Sequence, residues 1–207
     1  MEGTSGGVRP TRRERRNDRA VSAATTSPAR PGEVAGDVLQ RAKAGDQQAF
    51  TELVRHYDHR LRALAYRLLG DRAAMDDALQ ETYVKAFRAL PRFREDAGLG
   101  TWLHSIAYRT CIDLQRREGR HRTDPEPAVL ADSGADPAAT ATNRADLARA
   151  LAALPVDQRA AVLLVDGEGL DYDGAAAVLG VAPGTIASRL SRARAALRAA
   201  LAEGETR

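Results

Sequence analysis

The sequence is poor in cysteine, in aromatic residues and in long apolar runs, and each shortage excludes a class of protein. Cys111 is the single cysteine among 207 residues, so no internal disulfide can form, and we expect a packed thiol in a reducing cytoplasm. No apolar run approaches the ~20 residues that cross a bilayer. The arginine-rich N-terminus has no apolar segment behind it, which argues against a secretory signal. Aromatic residues make up only 4% of the chain, whereas Ala and Leu are abundant, so the composition favours an all-α fold.

The charge is nearly balanced but unevenly distributed. Lys and Arg total 31 against 28 Asp and Glu, which leaves a net charge of +3. Residues 1–32 combine arginines with Gly, Ser, Thr and Pro, and their apolar residues are too few to build a core. We therefore expect a disordered basic tail over 1–32. It either touches nucleic acid weakly through its charge, has no task, or reflects a start codon assigned too far upstream.

Residues 33–118 show the periodicity of a helical module. Apolar residues recur three and four positions apart. Asp residues stand at the predicted helix starts, where they can cap the helix, and Gly or Pro follows the predicted helix ends. Residues 92–100 lack a period and are predicted to form a loop. The predicted helices run from Asp37 to Ala44, from Asp46 to Leu69, from Asp71 to Leu90 and from Thr101 to about Arg117.

The helical pattern lapses over residues 119–143. Prolines, a glycine and scattered acids occupy this stretch without an apolar period, which indicates a flexible linker. A second helical module is predicted over residues 144–202. Its core candidates are Leu147, Leu151, Leu154, Val162, Leu163 and Val165. The chain is thus predicted to be all-α, with two small helical domains joined by a linker.

A basic helix is predicted between Gly184 and Leu201, and it has two distinct faces. One face is an apolar stripe at helical spacing, made by Ile186, Leu190, Ala193, Leu197 and Leu201. The other face presents hydroxyl and guanidinium groups near the helix start, namely Thr185, Ser188, Arg189 and Arg192. Groups of this kind suit phosphates and guanine edges in a DNA major groove.

The residues before this helix complete a helix-turn-helix pattern. Tyr172 to Leu179 is predicted to be a short helix, and Gly180 to Pro183 a tight turn. Proline is favoured at the first position of a helix, so Pro183 marks the start of the second helix. A short helix, a glycine-containing turn and a basic helix are typical of DNA-binding proteins. An arginine-rich, solvated helix in an ordinary bundle is the alternative interpretation.

The helix predicted after Asp71 has a polar face with acidic side chains. Asp76 and Gln80 lie four residues apart, as do Asp77 and Glu81, with no lysine or arginine among them. Like charges at this spacing are mildly unfavourable on an isolated helix, so a face without internal partners suggests a basic partner protein. A solvated helix face is the alternative. An acid–base or metal site is disfavoured because no histidine joins the carboxylates.

The helix predicted from Thr101 combines an inward stripe with a polar face. Leu103, Ala107, Thr110 and Leu114 form the stripe. The opposite face presents aromatic, hydrogen-bonding and cationic groups that suit unpaired bases, contributed by His104, Ser105, Tyr108, Gln115 and Arg116. Trp102 is better placed as a core anchor at the helix start. The basic run of Arg116, Arg117, Arg120 and Arg122 suits phosphate contact, or is a solubilising helix end.

Two blocks of the sequence resemble bacterial RNA polymerase sigma factors of the sigma-70 family. The stretches that resemble conserved region 2 of the family are Asp76-Asp-Ala-Leu-Gln-Glu-Thr-Tyr-Val-Lys-Ala-Phe-Arg-Ala-Leu90, Phe93, Thr101-Trp-Leu-His-Ser-Ile-Ala107 and Asp113-Leu-Gln-Arg-Arg117. The stretches that resemble region 4 are Leu154-Pro-Val-Asp-Gln-Arg159, Gly169-Leu-Asp-Tyr172, Leu179-Gly180 and Gly184-Thr-Ile-Ala-Ser-Arg-Leu-Ser-Arg-Ala-Arg194. The likeness covers roughly residues 34–202. The two-domain form with a short linker resembles the extracytoplasmic-function (ECF) group.

The resemblance implies a role for each of these surfaces. Core RNA polymerase would be bound by Asp76, Asp77, Gln80 and Glu81. The −10 promoter element would be opened, and its non-template strand held, by the loop Arg92 to Gly100 and the helix after it. The residues concerned are Phe93, Thr101, Trp102, His104, Ser105, Tyr108, Arg109, Gln115 and Arg116. The −35 element would be read in the major groove by Thr185, Ser188, Arg189 and Arg192.

The resemblance also implies the partners and the location of the protein. It implies core RNA polymerase, promoter DNA (duplex at −35, melted at −10) and an anti-sigma factor as partners, and a linker that threads into the polymerase near the RNA path. No catalysis, cofactor, metal, small-molecule substrate or membrane insertion is implied. The protein would be cytoplasmic, or held at the membrane through an anti-sigma partner.

Two positions depart from the family pattern, and other functional classes stay open. The family often has Asn near Arg109, and Gly174-Ala-Ala176 replaces its usual Glu-Ile-Ala; Gly174 costs about 1 kcal/mol of helix propensity relative to Ala. Both changes concern promoter preference. From the residues alone, one alternative is a regulator that binds duplex DNA through its C-terminal half and another partner through its N-terminal half. An enzyme with a carboxylate site lacks a supporting cluster of His, Cys or phosphate-binding Gly.

Overall fold

The structure, a computed structural model, describes residues 36–95, 98–118 and 137–205. The prediction of an all-α fold is confirmed, since the described residues form helices and connecting turns without a strand. The helices are α1 (Gly36–Lys43), α2 (Gln47–Leu69), α3 (Arg72–Ala89), α4 (Leu99–Glu118), α5 (Pro137–Ala153), α6 (Val156–Val162), α7 (Tyr172–Leu179) and α8 (Pro183–Glu205). A 3₁₀ turn, Leu90–Arg92, follows α3, and a π-helical turn, Leu163–Gly167, continues α6.

Capping residues set the ends of the N-terminal helices as the sequence predicts. The Asp46 carboxylate accepts hydrogen bonds from the backbone N–H groups of Gln48 (2.9 Å) and Ala49 (3.0 Å) at the start of α2. Gly70 ends α2 in the left-handed conformation, with φ +73°, which costs glycine little because it has no Cβ. Asp71 then accepts from the N–H of Ala74 at 2.8 Å and starts α3.

The N-terminal helices surround α2, which packs against α1, α3 and α4. Apolar side chains at helical spacing close this core, and the largest that are fully buried are Leu53, Leu61, Leu64, Leu68, Leu79, Leu90 and Leu103. Burying side chains of this size contributes about 1.5–3 kcal/mol each. The core therefore fixes the direction of α3 and α4, whose outer faces carry the candidate binding residues.

The C-terminal helices form a second group in which α8 packs against α5, α6 and α7. Leu164, Val178, Ile186 and Leu190 are its large, fully buried side chains. The apolar stripe predicted for the last helix is confirmed, because Ile186, Leu190 and Ala193 are buried and Leu197 packs partly against the core. The other side of α8 is thereby turned away from this core.

The start of α5 differs from the expected boundary of the linker. α5 begins at Pro137, inside the stretch 119–143 that lacks apolar periodicity. The prolines and small residues that suggest a linker include a proline at the first helical position, which is compatible with a helix start. The predicted tail 1–32 and residues 119–136 of the predicted linker lie outside the described residues.

The two groups of helices contact each other. α4 packs against α7, and α2 packs against α5 and α6, so all eight helices belong to one compact unit. The division into two modules that act separately stays a prediction. Among the residues that the structure describes, no helix is both long and apolar enough to cross a membrane.

Candidate protein and nucleic-acid interfaces

The helix-turn-helix predicted from the sequence is present at α7 and α8. Asp171 starts α7 by accepting a hydrogen bond from the N–H of Gly174 at 2.7 Å. Gly180 ends α7 with φ +67°, and α8 begins three residues later at Pro183. The turn therefore needs the left-handed conformation that glycine adopts without strain, and it fixes the angle at which α8 leaves α7.

The start of α8 presents the predicted hydroxyl and guanidinium groups on one side. Arg192 is exposed, whereas Thr185, Ser188 and Arg189 are partly buried. Ser188 Oγ donates a hydrogen bond to the carbonyl oxygen of Thr185 at 2.9 Å. None of these four side chains is fully buried, unlike Ile186 on the same helix turns, which suits a helix that enters a groove with one face.

Arg189 is not free in this arrangement. Its Nη2 lies 3.0 Å from Asp157 Oδ2 on α6, and its side chain is only 19% exposed. Arg192 has no hydrogen bond or ion pair with the described residues. The two arginines predicted to read DNA therefore differ, since Arg192 is available and Arg189 must first exchange its carboxylate partner.

The polar face of α3 is formed as predicted, but the expectation that it has no internal partners is wrong for two of its members. Arg62 Nη1 of α2 lies 2.7 Å from Asp76 Oδ1. Glu81 lies 2.9 Å from Lys85 Nζ and 3.8 Å from Arg117 Nη1. The hydrogen bond from Lys85 and the charges of both cations hold the pKa of Glu81 below its ordinary value. These partners come from the next helical turn and from other helices, which a count along one face of α3 omits.

Asp77 and Gln80 retain the character expected of a docking surface. Both are exposed, and neither makes a hydrogen bond or ion pair with the residues that the structure describes. Val84, one turn further along α3, is also 44% exposed. The outer face of α3 therefore exposes an acid, an amide and an apolar side chain.

His104 is the clearest departure from the expected exposed face of α4. Its ring is 3% exposed, because the C-terminal helices lie against α4 at this point. Nδ1 donates to the carbonyl oxygen of Gly100 at 2.7 Å, since a carbonyl can only accept. Nε2 lies 3.5 Å from Glu168 Oε2, beyond the π-helical turn of the other helical group. The prediction that His104 is exposed is therefore wrong for this arrangement.

The other residues predicted to contact the −10 element divide into exposed and covered groups. Arg109 and Arg116 are exposed, and Thr101 and Ser105 are partly buried. Gln115 Nε2 donates to the carbonyl oxygen of Leu68 at 2.8 Å, at the end of α2. Tyr108 is half-buried, and this burial raises the pKa of its hydroxyl, which the charge of Arg189 lowers in part.

The loop before α4 is anchored from both sides. Phe93 is buried, and its ring lies 5.0 Å from the ring of Trp102, centroid to centroid. Trp102 packs partly against the core, in agreement with the anchor role favoured by the sequence. Lys43 of α1 donates to the carbonyl oxygen of Phe93 at 3.0 Å and to Glu95 Oε1 at 2.8 Å. Glu95 has φ +61°, a conformation that costs a non-glycine residue about 1 kcal/mol or more.

Sequence reasoning assigned no role to Arg159, which lies between the two groups of helices. Its guanidinium donates to the carbonyl oxygens of Ala152 (2.6 Å) and Leu154 (3.1 Å) at the end of α5. It also donates to those of Arg67 (3.3 Å) and Leu68 (3.2 Å) at the end of α2. Burial lowers the pKa of Arg159. The sequence shows Arg159 only as the end of the Leu154–Arg159 stretch that resembles region 4, which does not reveal partners about 90 residues away.

Known protein families match both halves of the chain. The Sigma-70 region 2 family matches residues 53–121, which include most of α2 and all of α3 and α4. The Sigma-70 region 4 family matches residues 144–197, which include the helix-turn-helix. The fold and these matches define a transcription initiation factor of the sigma-70 type.

Individual proteins similar to this chain identify its group within the sigma-70 family. The chain is 40% identical over 161 residues to the ECF RNA polymerase sigma factor SigM of Mycobacterium tuberculosis, covering 78% of this chain and 81% of the relative. It is 33% identical over 175 residues to the ECF RNA polymerase sigma-E factor of Escherichia coli, covering 77% and 90%. The chain belongs to the ECF group of RNA polymerase sigma factors, which bind RNA polymerase and start transcription at specific promoters rather than catalyse a reaction themselves.

Solved structures agree with this assignment. The sigma factor RpoE of Bartonella quintana, solved in complex with the anti-sigma factor NepR, matches with a TM-score of 0.65 and 31% identity, covering 73% of this chain and 96% of that one. CnrH, solved in complex with the cytosolic domain of CnrY, matches with a TM-score of 0.63 and 29% identity, covering 81% and 96%.

Proposed function

We propose that the outer face of α3 docks on core RNA polymerase, that the Phe93–Glu95 loop and α4 bind and help to melt the −10 element, and that α8 reads the −35 element. The observation that carries the proposal is the geometry of α8. Its apolar side is buried, while the side with Thr185, Ser188, Arg189 and Arg192 begins directly after a glycine turn. A helix of this form can place its first turns in a major groove.

The α3 surface supports the polymerase contact through charge and exposure. Asp77 and Gln80 are available without breaking an existing bond, whereas Asp76 and Glu81 have partners that a basic helix would replace. Docking through Asp77 therefore has the smallest cost of rearrangement. Such charged contacts at the rim of an interface mainly influence association rate and orientation.

The −10 contact is supported by residues that stay exposed or half-buried in the middle and near the end of α4. Arg109 and Arg116 can bind phosphates, and the half-buried Tyr108 is an aromatic surface on which an unpaired base can stack. Binding unpaired bases offsets the few kcal/mol that unstacking costs. In this way differential binding, rather than a chemical step, favours the melted promoter.

We further propose an anti-sigma partner and a cytoplasmic location, or one at the membrane through that partner. The support is the likeness to RpoE and CnrH, whose solved complexes contain NepR and CnrY. The two structures cover 73% and 81% of this chain.

Transcription with purified core polymerase on a promoter library tests the proposal. The chain is added to core enzyme, the 5′ ends of the transcripts are sequenced, and the upstream sequences are compared with those from core enzyme alone. We expect transcripts that share two sequence elements upstream of the start site. An absence of chain-dependent initiation on every sequence in the library would refute the proposed function.

A further inference from the structure

We propose that Lys43 and Gln40 of α1 are positioning residues for promoter selectivity, because they hold the Phe93–Glu95 segment in one backbone conformation. The inference rests on the proposed function, since that segment belongs to the surface assigned to the −10 element. None of the residues assigned to DNA or polymerase lies in α1. Its part in base selection is therefore indirect, and it acts through the segment that it holds.

The side chains of α1 make three hydrogen bonds to the segment. Lys43 Nζ donates to the carbonyl oxygen of Phe93 at 3.0 Å and to Glu95 Oε1 at 2.8 Å. Gln40 Nε2 donates to the same oxygen of Glu95 at 3.2 Å. Lys43 Nζ also lies 5.9 Å from the centre of the Phe93 ring, within the range of a cation–π contact. This set of interactions, the α1 contact, fixes the segment from a helix about 50 residues earlier in the chain.

Glu95 has a backbone conformation that needs such support. Its φ is +61°, and it is the one non-glycine residue with a positive φ among those that the structure describes. A residue with a Cβ is disfavoured in this left-handed region, whereas glycine is not. The hydrogen bond and the charge of Lys43, with the hydrogen bond from Gln40, hold the pKa of Glu95 below its ordinary value. The carboxylate is therefore ionised at neutral pH and accepts from both side chains.

Arg94 is the side chain that this arrangement leaves open to DNA. On one side of it Phe93 is buried, with its ring 5.0 Å from that of Trp102. On the other side Glu95 is bonded to α1. Arg94 itself is exposed and makes no hydrogen bond or ion pair with the described residues, and a guanidinium suits a phosphate or a base edge. Its two anchored neighbours limit the directions from which it can meet DNA, and a limited direction favours one base over another.

The α1 contact is too exposed to contribute much to overall stability. The side chains of Lys43 and Glu95 are 21% and 46% exposed, and solvent screens ion pairs of this kind. A positioning role therefore predicts weaker discrimination between −10 sequences, with stability, polymerase binding and discrimination at −35 all kept. A role in folding alone predicts no change in discrimination, so the two roles can be separated.

The test compares three variants of the full chain. Lys43→Met removes the ammonium group and keeps an unbranched apolar stem. Glu95→Gly removes the carboxylate, and glycine adopts a φ of +61° without strain, so the segment is released and no strain is added. Arg41→Met is the matched control, because it removes one positive charge from the same helix, while Arg41 pairs with Asp46 at 2.8 Å. Thermal unfolding followed by circular dichroism checks that each variant folds.

The first readout is made on the free protein. Trp102 is the single tryptophan of the chain, and the Phe93 ring lies beside it. Quenching of its fluorescence by acrylamide therefore reports how firmly the segment is held. We expect stronger quenching in Lys43→Met and in Glu95→Gly than in the wild type and in Arg41→Met. Quenching equal to the wild type in the first two variants would overturn the α1 contact.

The second readout is transcription by core polymerase with each variant. Two libraries are built on the strongest promoter that the wild type selects, one randomised at −10 and the other at −35. We expect Lys43→Met and Glu95→Gly to lower the preference for the best −10 sequence over single mismatches by about threefold to fivefold, as for the loss of one partly exposed ion pair. Preference at −35, and both preferences of Arg41→Met, should equal the wild type. The double variant should lose less than the sum of the two single losses, because both remove the same contact.

Each result decides the matter. Unchanged −10 preference in both folded variants would overturn the inference and leave the proposed function intact. An equal loss of preference at −35 would also overturn it, because the effect would then be general. If Lys43→Met does not fold, Glu95→Gly must show both stronger quenching and weaker −10 preference, or the inference fails. Lack of initiation by the wild type on every promoter would refute the proposed function and the role in selectivity, while the quenching result would still decide whether the α1 contact holds the segment.

Discussion

Arg189 and Asp157 form an ion pair between α8 and α6, with 3.0 Å between Nη2 and Oδ2. Arg192, nearly one turn further along α8, is exposed and has no such partner among the described residues. Arg189 is 19% exposed but its partner Asp157 is 42% exposed, so solvent screens the pair in part and a DNA phosphate can replace the carboxylate. The pair therefore makes the two arginines unequal contributors to DNA binding.

Arg189→Ala and Arg192→Ala should both weaken promoter recognition while polymerase binding is kept. If Arg192 contacts a base, its loss costs about 1–3 kcal/mol and relaxes specificity at one −35 position. If it contacts a phosphate, the plot of log affinity against log salt concentration becomes less steep by about one, because one counterion fewer is released on binding. Electrophoretic mobility shift with holoenzyme measures this, and exposed Arg198→Ala on the same helix is the control. Loss of polymerase affinity in either mutant would contradict the assignment of α8.

Asp77→Arg combined with Glu81→Arg should abolish binding to core polymerase, because it reverses the charge of the α3 face. Glu81→Arg also places a third cation beside Lys85 and Arg117, so Asp77→Arg alone is the cleaner test of the surface. Co-purification with core enzyme is the measurement. Glu52→Arg with Asp173→Arg, both at exposed positions, gives the same net charge, and holoenzyme formation equal to this control would refute the face.

Leu64→Ala should destabilise the protein by about 2–5 kcal/mol, because it leaves a cavity in a close-packed core. Leu64 is 1% exposed, whereas Leu147 is 42% exposed, so Leu147→Ala should change stability by less than about 0.5 kcal/mol. Urea denaturation followed by circular dichroism compares the two. Equal midpoints would mean that α2 is not the centre of the N-terminal core.

Cys111 should be unreactive in the folded protein. It is buried, and this burial raises the pKa of its thiol to about 12. At pH 8 only about one thiol in ten thousand is then ionised, and the thiolate is the reactive form. The thiol reagent DTNB should label the native protein very slowly and the urea-unfolded protein at once. Fast labelling of the native chain would show that α4 is exposed more often than the packing indicates.

Local signals predicted much of this fold. Asp46, Gly70 and Asp71 mark helix ends through interactions within a few residues, so their roles can be read from the sequence. The apolar stripe of α8 is equally local. By contrast, the start of α5 at Pro137 was missed because small and polar residues around it have no period, although a proline is compatible with a helix start.

The candidate site was predicted less completely because burial depends on distant segments. A helical wheel assigns His104 to the polar face of α4, and only the packing of α7 and Glu168 against that face buries it. In the same way, Arg62 and Arg117 come to the α3 face from other helices. Partners of this kind are not encoded by spacing, so a single sequence cannot reveal them.

The contact of Lys43 with Phe93 and Glu95 affects how the protein can be dissected. Lys43 lies in α1, ahead of residue 53 where the region 2 match starts. A fragment cut to the limits of that match would lose the ammonium group that offsets the unfavourable backbone of Glu95. DNA-binding constants obtained from such a fragment would apply to a loop without this contact. A fragment whose base selectivity is compared with that of the intact chain should therefore begin upstream of Gly36.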